Sequence, residues 1–246
     1  MNELDVLKQI ITESENMVFF GGAGVSTESN IPDFRSETGL YNAQNKYGYR
    51  PETILSHSFF QQYPQQFFDY HLNEMIYEQA QPNDAHRALA ALEQQGKLQA
   101  VITQNIDGLH QRAGSKNVLE LHGSVLRNYC TSCGAKYTLE FMVANRGAIP
   151  HCSQCGGIVR PDIVLYEENL DSRLLERAQQ YIEAADTLIV GGTSLAVYPA
   201  AGLINFFGGR KLVLLNKSVT VYDSEADLIV RESIGKALKY SVFGDE

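Results

Sequence analysis

The chain has 246 residues and a mass of 27.4 kDa, which exclude a single small module and allow one large domain with a smaller one inserted. Hydrophobic residues make up 44% and charged residues 20%, as in ordinary globular proteins, and no apolar run approaches the roughly 20 residues that span a membrane. The net charge of -9 argues against sequence-independent nucleic-acid binding, and the acidic first residues are unlike a signal peptide, so we expect a cytoplasmic protein with no membrane or specific nucleic-acid partner.

The first predicted elements are a helix and a buried strand. Leu4, Leu7 and Ile10 recur at helical spacing within residues 3–13, and the short apolar run 17–20 then ends at glycine. The same unit recurs three times, with helices at 84–96, 172–186 and 200–209 and strands at 98–105, 187–192 and 211–216. This alternation is typical of an α/β fold, a parallel sheet with helices on both faces.

Two stretches interrupt the alternation. Residues 36–80 are rich in Tyr, Phe and Gln, and residues 128–160 contain all four cysteines. We expect both to belong to one smaller inserted domain, made of a helical module and a cysteine-bearing ribbon. The larger domain then comprises residues 1–35, 81–127 and 161–246.

The cysteines form two C-x-x-C pairs separated by eighteen residues. The first pair is Cys130 and Cys133, and the second is Cys152 and Cys155. Two tight turns with this spacing can present four thiolates to one tetrahedral zinc, and four ligands with no open position make a structural site. The alternatives are two disulfides or four free thiols. Because no secretory signal is present, the spacing favours zinc.

The apolar run 17–20 leads into a glycine-rich turn. Gly22 and Gly24 match the start of the dinucleotide pattern G-x-G-x-x-G, but Thr27 stands at the third glycine position. Such a turn could hold a diphosphate at a helix N-terminus or could simply require positive φ. A second glycine-rich strand end, at 191–194, favours an extended dinucleotide bound between the two.

Two polar segments, 103–107 and 120–123, each follow another predicted strand. The carboxyl ends of parallel strands are where such folds bind ligands. We interpret His86 and His110 as structural, because both lie in helical or turn contexts. His122 precedes Gly123, which leaves its surroundings open, and is the candidate general base.

Together these motifs resemble the sirtuins, the NAD-dependent protein lysine deacylases. The resemblance covers nearly the whole chain in the right order, through GAGVS (22–26), IPDFR (31–35), TQNIDGLH (103–110), LHG (121–123), the cysteine pairs, RP (160–161), GTSL (192–195) and PAA (199–201). It implies a Rossmann-like large domain, a small zinc-bearing domain, NAD as co-substrate, one structural zinc and a monomer that acts on acyl-lysine proteins or peptides.

The resemblance also implies roles for individual residues. The catalytic residues would be His122 and Asn105. The residues implied to bind NAD, besides these two, are Gly22, Ala23, Gly24, Ser26 and Thr27 at the diphosphate turn, Asp33, Phe34 and Arg35 in a loop over the nicotinamide ribose, Gln104, Ile106 and Asp107 at the ribose and carboxamide, and Gly192, Thr193, Ser194 and Asn216 on the adenosine side. The residues implied to hold the substrate peptide as an added strand are Val164, Leu165 and Tyr166 on one side and Ala196 and Val197 on the other.

The implied chemistry begins with attack of the acyl-lysine oxygen on the ribose, which releases nicotinamide. His122 would then act as base on a ribose hydroxyl, giving O-acyl-ADP-ribose and free lysine. A protein ADP-ribosyltransferase of the same family, a non-catalytic zinc-ribbon binding protein and a hydride-transferring dehydrogenase are the alternatives. The dehydrogenase is disfavoured because the chain lacks the third glycine of the dinucleotide pattern and has no obvious acidic residue after the second strand.

The chain departs from the sirtuin pattern at Gly21, Asn30 and Glu167, where Thr, Gly and Gly respectively are usual. Sirtuins that prefer succinyl-lysine resemble one another in a Tyr-x-x-Arg pair, for which this chain has Tyr70 and Asn73 at the corresponding positions. An acyl carboxylate would meet an amide rather than a guanidinium there. The resemblance therefore predicts a preference for acetyl or other uncharged acyl groups.

Overall fold

The computed structural model describes residues 2–33 and 44–244. The strands are β1 (Met17–Gly21), β2 (Leu98–Thr103), β3 (Val118–Glu120), β4 (Gly123–Cys130), β5 (Lys136–Thr138), β6 (Val159–Ile163), β7 (Thr187–Gly191), β8 (Lys211–Leu215) and β9 (Leu228–Val230). The α-helices are α1 (Glu3–Glu13), α2 (Pro51–Ile54), α3 (His57–Gln62), α4 (Pro64–Glu74), α5 (Asp84–Gln94), α6 (Leu109–Ala113), α7 (Leu139–Ala144), α8 (Ser172–Ala184) and α9 (Ile234–Phe243). None of the described helices is both long enough and apolar enough to cross a membrane.

Six strands form a parallel sheet in the order β3-β2-β1-β7-β8-β9. The chain moves outward from β1 to β3 on one side and then returns to build β7 to β9 on the other. This is the arrangement of a Rossmann fold, and the strand order reverses between β1 and β7. The predicted parallel sheet is confirmed.

Each strand of the sheet contributes to two cores, because successive side chains point to opposite faces. Met17 and Phe19 join the core that α1, α5 and α9 cover, whereas Val18 and Phe20 join the core beneath α8. All four side chains are fully buried. The near-continuous apolar run of β1 is therefore explained by burial on both faces.

A smaller lobe combines the three-stranded sheet β5-β4-β6 with helices α2, α3, α4 and α7. One apolar core joins them, and it includes Phe67 and Phe68 from the helices and Cys130 and Cys152 from the ribbon. Strands β4 and β6 cross the domain limits expected at residues 128 and 160. The division into domains stays a prediction.

Two elements differ from the sequence-based expectations. The segment predicted as a helix at 200–209 forms a 3₁₀ helix over Ala200–Phe206, where Gly202 lowers helix propensity and four apolar side chains are buried. Strand β9 was not predicted, and β3 was predicted only as the short apolar step that precedes the polar residues at 120–123. Each has only three residues and is only partly buried, so its hydrophobic pattern is too short to be recognised.

Candidate active site

A cleft of about 340 Å³ lies between the two lobes, at the carboxyl ends of β1, β2 and β7. It therefore occupies the point where the strand order of the sheet reverses, which is where open α/β sheets bind ligands. Its walls include the turn after β1, the loop after β2, the segment that follows β6 and the turn after β7.

The turns after β1 and β7 contact each other through glycines. The Gly24 amide donates to the Gly192 carbonyl at 2.8 Å, and the Gly22 amide donates to the Gly191 carbonyl at 3.1 Å. A Cβ on Gly24 would lie 2.6 Å from the Gly192 Cα, and Gly192 itself has a φ of +62°. Side chains at these positions would force the turns apart, so glycine is required here for the close approach.

A hydrogen-bonded chain of polar side chains lines the floor of the cleft. The Asn105 amide donates to the Ser26 hydroxyl at 3.1 Å, and that hydroxyl donates to the Asp107 carboxylate at 2.7 Å. The second Asp107 oxygen accepts from the Leu109 amide at 2.8 Å. Burial raises the pKa of Asp107, and the hydrogen bonds from Leu109 and Ser26 oppose that rise.

His122 is held by the backbone of the loop after β2. Its Nδ1 lies 3.0 Å from the Gln104 carbonyl oxygen, which can only accept, so Nδ1 carries the proton and donates. The neutral imidazole then has its lone pair on Nε2. The Gln104 side chain donates to the Thr193 hydroxyl at 3.0 Å and so links this loop to the turn after β7.

The segment after β6 borders the cleft with its backbone. The Val164 amide donates to the His122 carbonyl at 3.0 Å, while the Tyr166 amide donates to the Leu55 carbonyl at 2.9 Å. Tyr166 also accepts from the His57 amide at 3.0 Å. The segment is thus joined both to the general-base candidate and to the helical part of the small lobe.

An ion pair between a buried arginine and a partly buried glutamate fixes the end of this segment. Arg160, which is 5% exposed, donates to both oxygens of the Glu168 carboxylate, at 2.6 and 3.0 Å. Glu168 also accepts from the Leu165 amide at 2.9 Å and contacts His57 Nδ1 at 2.8 Å. Burial alone would raise the pKa of Glu168, but its hydrogen bonds and the Arg160 charge lower it to about 2.

Two of the three departures from the sirtuin pattern have a left-handed backbone. Asn30 has a φ of 62° and Glu167 a φ of 75°, where glycine is the favoured residue. Asn adopts this conformation more readily than Glu does, so the Glu167 backbone is the more strained of the two.

Most residues predicted to bind ligands line this cleft. They are Gly22, Ala23, Ser26, Asp33, Gln104, Asn105, Ile106, Asp107, His122, Val164, Leu165, Tyr166, Gly192, Thr193, Ser194 and Val197. Gly24, Thr27, Ala196 and Asn216 do not belong to this lining. Asn216 nevertheless directly follows β8 at the same edge of the sheet, and Phe34 and Arg35 lie outside the described residues. The roles assigned to all these residues stay predictions.

Sequence reasoning missed the segment at the end of α4, where Met75, Ile76 and Tyr77 line the cleft. The signal available in the sequence for this part of the cleft was the apolar pair Met75 and Ile76 directly after the end of α4. Tyr70 and Asn73, the positions that correspond to the Tyr-x-x-Arg pair, lie outside the cleft lining, and Tyr70 is 3% exposed within the small-lobe core. The Asn73 side chain donates to the Asp69 carbonyl and lines a pocket next to the cleft, which shares Glu78 with it. The described structure therefore does not bring this pair to the cleft.

The four cysteines converge on one point of the small lobe. Their sulfur atoms all lie within 4.8 Å of one another, with 3.5 Å between Cys130 and Cys155 and 3.6 Å between Cys133 and Cys152. None of the four forms a disulfide, so the alternative of two disulfides is not what the structure contains. Zinc–sulfur bonds of about 2.3 Å in a tetrahedron place sulfurs about 3.8 Å apart, so the cluster fits one zinc ion. His151 is exposed and outside the cluster.

Comparisons with known proteins agree with this geometry. The family model described as "Sir2 family" matches residues 22–199. The chain is 58% identical to an NAD-dependent protein deacetylase of Clostridium acetobutylicum, over 97% of this chain and 98% of that protein. A solved Sir2 complex with a p53 peptide and NAD⁺ is 38% identical, with a TM-score of 0.85, and covers 97% of this chain and 96% of its own. A Sir2 variant with deacetylated p53 peptide and 3′-O-acetyl ADP ribose is 39% identical, with a TM-score of 0.87, over 97% and 96% of the two chains.

Proposed function

Since the chain belongs to the Sir2 family, we propose that its cleft uses NAD to remove acetyl groups from protein lysines, and that the residues described above perform this reaction. The observation that carries the proposal is the meeting of His122, the Ser26–Asp107 pair and the two glycine turns in one cleft. Relatives of similar length and high identity are NAD-dependent protein deacetylases, and the chain is an enzyme of this kind.

We infer that the glycine turns accept the NAD diphosphate, because close-packed glycines leave no side chains between the backbone and a ligand. Bound NAD supplies an electrophilic ribose carbon and nicotinamide as leaving group. Asn105, Ser26 and Asp107 are already linked by hydrogen bonds and would orient the ribose and carboxamide. Asn216, at the end of β8, would lie toward the adenosine side.

His122 would act as the general base. The Gln104 carbonyl fixes the Nδ1–H tautomer, so Nε2 is the nitrogen that would take a proton from a ribose hydroxyl. The side chain of Gln104 also donates to the Thr193 hydroxyl, so the residue that orients His122 is joined to the turn after β7 on the other side of the cleft. Loss of this proton would allow the acyl group to pass to the ribose oxygen, and one water molecule would be consumed as the lysine amine leaves.

The peptide would lie between Val164–Tyr166 and Ala196–Val197 as an added strand. Support comes from the cleft lining, which contains both segments apart from Ala196. We also propose that the chain acts as a monomer. It would bind no specific nucleic acid, because the net charge of -9 disfavours contact with phosphate groups.

We propose that Cys130, Cys133, Cys152 and Cys155 hold one structural zinc. Four thiolates fill a tetrahedral shell, which leaves no position for substrate. The ion would stabilise the ribbon that carries β4 and β6, and β6 leads directly into the peptide-binding segment.

An uncharged acyl group is favoured by the charges of the cleft. Four glutamates, at 74, 78, 167 and 168, line it, whereas the Arg112 guanidinium already donates to the Ala80 carbonyl at 2.8 Å and to Gln81 at 3.0 Å. A succinyl carboxylate would lose hydration, would face these glutamates, and would have to displace the hydrogen bonds of Arg112 before it could pair with that guanidinium.

Mass spectrometry of the products from NAD and acetyl- or succinyl-lysine versions of one peptide tests the function. We expect nicotinamide, O-acetyl-ADP-ribose and free lysine, with a higher kcat/KM for acetyl. ADP-ribosylated protein without O-acetyl-ADP-ribose would show transfer instead of deacetylation, and no consumption of NAD would indicate a non-catalytic binding protein. A ratio that favours succinyl would contradict the acyl preference alone.

A further inference from the structure

Glu167 differs from the other glutamates of the cleft lining in its ion pairing within the described residues. Of the four glutamates in the lining, the other three form ion pairs, and the structure records no cationic partner for Glu167 among residues 2–33 and 44–244. Those three pairs are Glu74 with Lys46, Glu78 with Arg146 and Glu168 with Arg160. Glu167 is also exposed, so its charge is available to a ligand.

The backbone at Glu167 is strained, yet it carries a charged side chain. A φ of 75° costs a non-glycine residue on the order of 1 kcal/mol, and glycine would make the same turn without that cost. A cost of this size is one that hydrogen bonds of the side chain can offset.

The Glu167 side chain has one visible structural role, but this role does not neutralise its negative charge. The Glu167 carboxylate accepts from the Ser58 amide at 2.8 Å and from the Ser58 hydroxyl at 2.9 Å, at the first turn of α3. These bonds hold the carboxylate in a fixed position. Because Ser58 is neutral, the negative charge remains on the surface beside Tyr166.

We propose that Glu167 is a specificity determinant that selects acyl-lysines flanked by Lys or Arg. The inference rests on the proposed function, because it requires the substrate peptide to run along Val164–Tyr166. Glu167 directly follows that segment and lines the same cleft. A peptide side chain close to the acyl-lysine would therefore lie near the Glu167 carboxylate. An exposed ion pair of this kind contributes about 1.5- to 5-fold in kcat/KM.

The experiment uses one acetyl-lysine peptide with alanine at three positions on either side, and six variants that each carry a single Arg. For the wild type we expect Arg at one or two positions to raise kcat/KM about 1.5- to 5-fold over alanine, and less at high salt. Glu167→Gln keeps an oxygen for the Ser58 amide but removes the charge, and should bring the ratio close to one. Glu176→Gln, the same change on the exposed surface of α8, should keep the wild-type ratio.

Ser58→Ala separates the structural role from the electrostatic one. The variant removes one hydrogen bond to Glu167 and keeps the carboxylate, so the Arg preference should persist. If Glu167 only caps α3, Ser58→Ala and Glu167→Gln would both lower thermal stability and neither would change the preference. An equal kcat/KM for all peptides with the wild type, or an unchanged ratio in Glu167→Gln, would overturn the inference while deacetylation stands. Failure of every peptide to yield O-acetyl-ADP-ribose would overturn the proposed function instead.

Discussion

His122 shows how a single backbone contact can prepare a catalytic group. Of the six histidines, all within the described ranges, it is the one that lines the cleft. The Gln104 carbonyl selects its tautomer, and Gly123, with a φ of 80°, turns the chain into β4 immediately afterwards. A Cβ at Gly123 would lie 2.0 Å from the Asp162 carbonyl oxygen, so the turn that presents His122 requires glycine.

We predict that His122→Ala lowers kcat/KM for deacetylation about 100- to 10,000-fold, because general-base catalysis contributes that much. Steady-state kinetics on an acetyl-lysine peptide would measure the loss, with thermal unfolding to show that the fold is kept. His151→Ala removes an exposed imidazole outside the cleft and should retain activity. A His122→Ala enzyme with turnover close to the wild type would remove His122 as the base.

Individual site residues could be predicted where a motif and a strand end coincide. Ser26, Asn105, Asp107 and His122 were all identified from sequence, and all line one cleft. The Arg160–Glu168 pair could not be predicted as an ion pair, because its partners are joined by the path of the chain after β6 and not by helical or strand spacing. The expectation for Asn73 depended on counting along a helix, which does not determine which face meets the cleft.

The segment after β6 is an element held by electrostatics at its end. Glu168→Gln would leave Arg160 buried without a counter-charge, so we predict a loss of about 2 kcal/mol in the free energy of unfolding and a Tm lower by roughly 4 to 8 °C. Thermal unfolding at neutral pH measures this. Glu183→Gln, on the exposed face of α8, should change Tm little.

The pH dependence gives a second check on this pair. The native pKa of Glu168, about 2, lies below its ordinary value, so the stabilisation is fully present above the ordinary glutamate pKa of about 4.3 and is lost as the pH falls toward 2. The difference in stability between wild type and Glu168→Gln should therefore shrink between about pH 4 and 2. A difference that is constant over this range would mean that the charge of Glu168 does not stabilise the segment.

The ribbon is an element whose stability we attribute to a metal. We predict one zinc per chain by elemental analysis, and loss of that zinc with a lower Tm in Cys133→Ser, because a thiolate ligand is replaced by a weak one. Ser132→Ala, between the two cysteines of the first pair, should keep the metal. Wild-type protein without bound metal would contradict the assignment.

The predictability of elements followed the length of their hydrophobic pattern. Strands β1, β2, β7 and β8 have five or six residues, are almost wholly buried and were all predicted. The helix at Ala200–Phe206 has only seven residues. Over so short a stretch the spacing of apolar residues is the same for a 3₁₀ helix and an α-helix, so the sequence pattern cannot distinguish them. Tertiary packing decides such cases.

At the level of the whole molecule, burial of neutral histidines links stability to pH. Burial lowers the pKa of His71 to about 3, with a contribution from the Arg160 charge, and lowers the pKa of His86 to about 4. Burial also places the pKa of His110 well below its usual range. His71 is fully buried, stacks on Phe67 at 5.8 Å, and neither of its nitrogens has a hydrogen-bond partner in the described structure.

The sign of the effect follows from these shifts. An unfolded histidine takes up a proton below about pH 6.5, whereas the native His71 does so only near pH 3. The unfolded state therefore binds more protons between these values, and the free energy of unfolding falls as the pH falls. The loss is about 1.4 kcal/mol per pH unit for each such histidine.

We predict that His71→Phe makes the protein less sensitive to acid, because an aromatic ring remains against Phe67 while the titrating group is removed. Between pH 7 and pH 5 the wild type should lose about 2 kcal/mol more than the variant, and contributions from carboxylates and from the other histidines cancel in this comparison. Urea unfolding at the two pH values gives both differences. His151→Phe changes an exposed histidine and should behave as the wild type does. Parallel pH dependence in wild type and His71→Phe would show that His71 is not a source of the acid sensitivity.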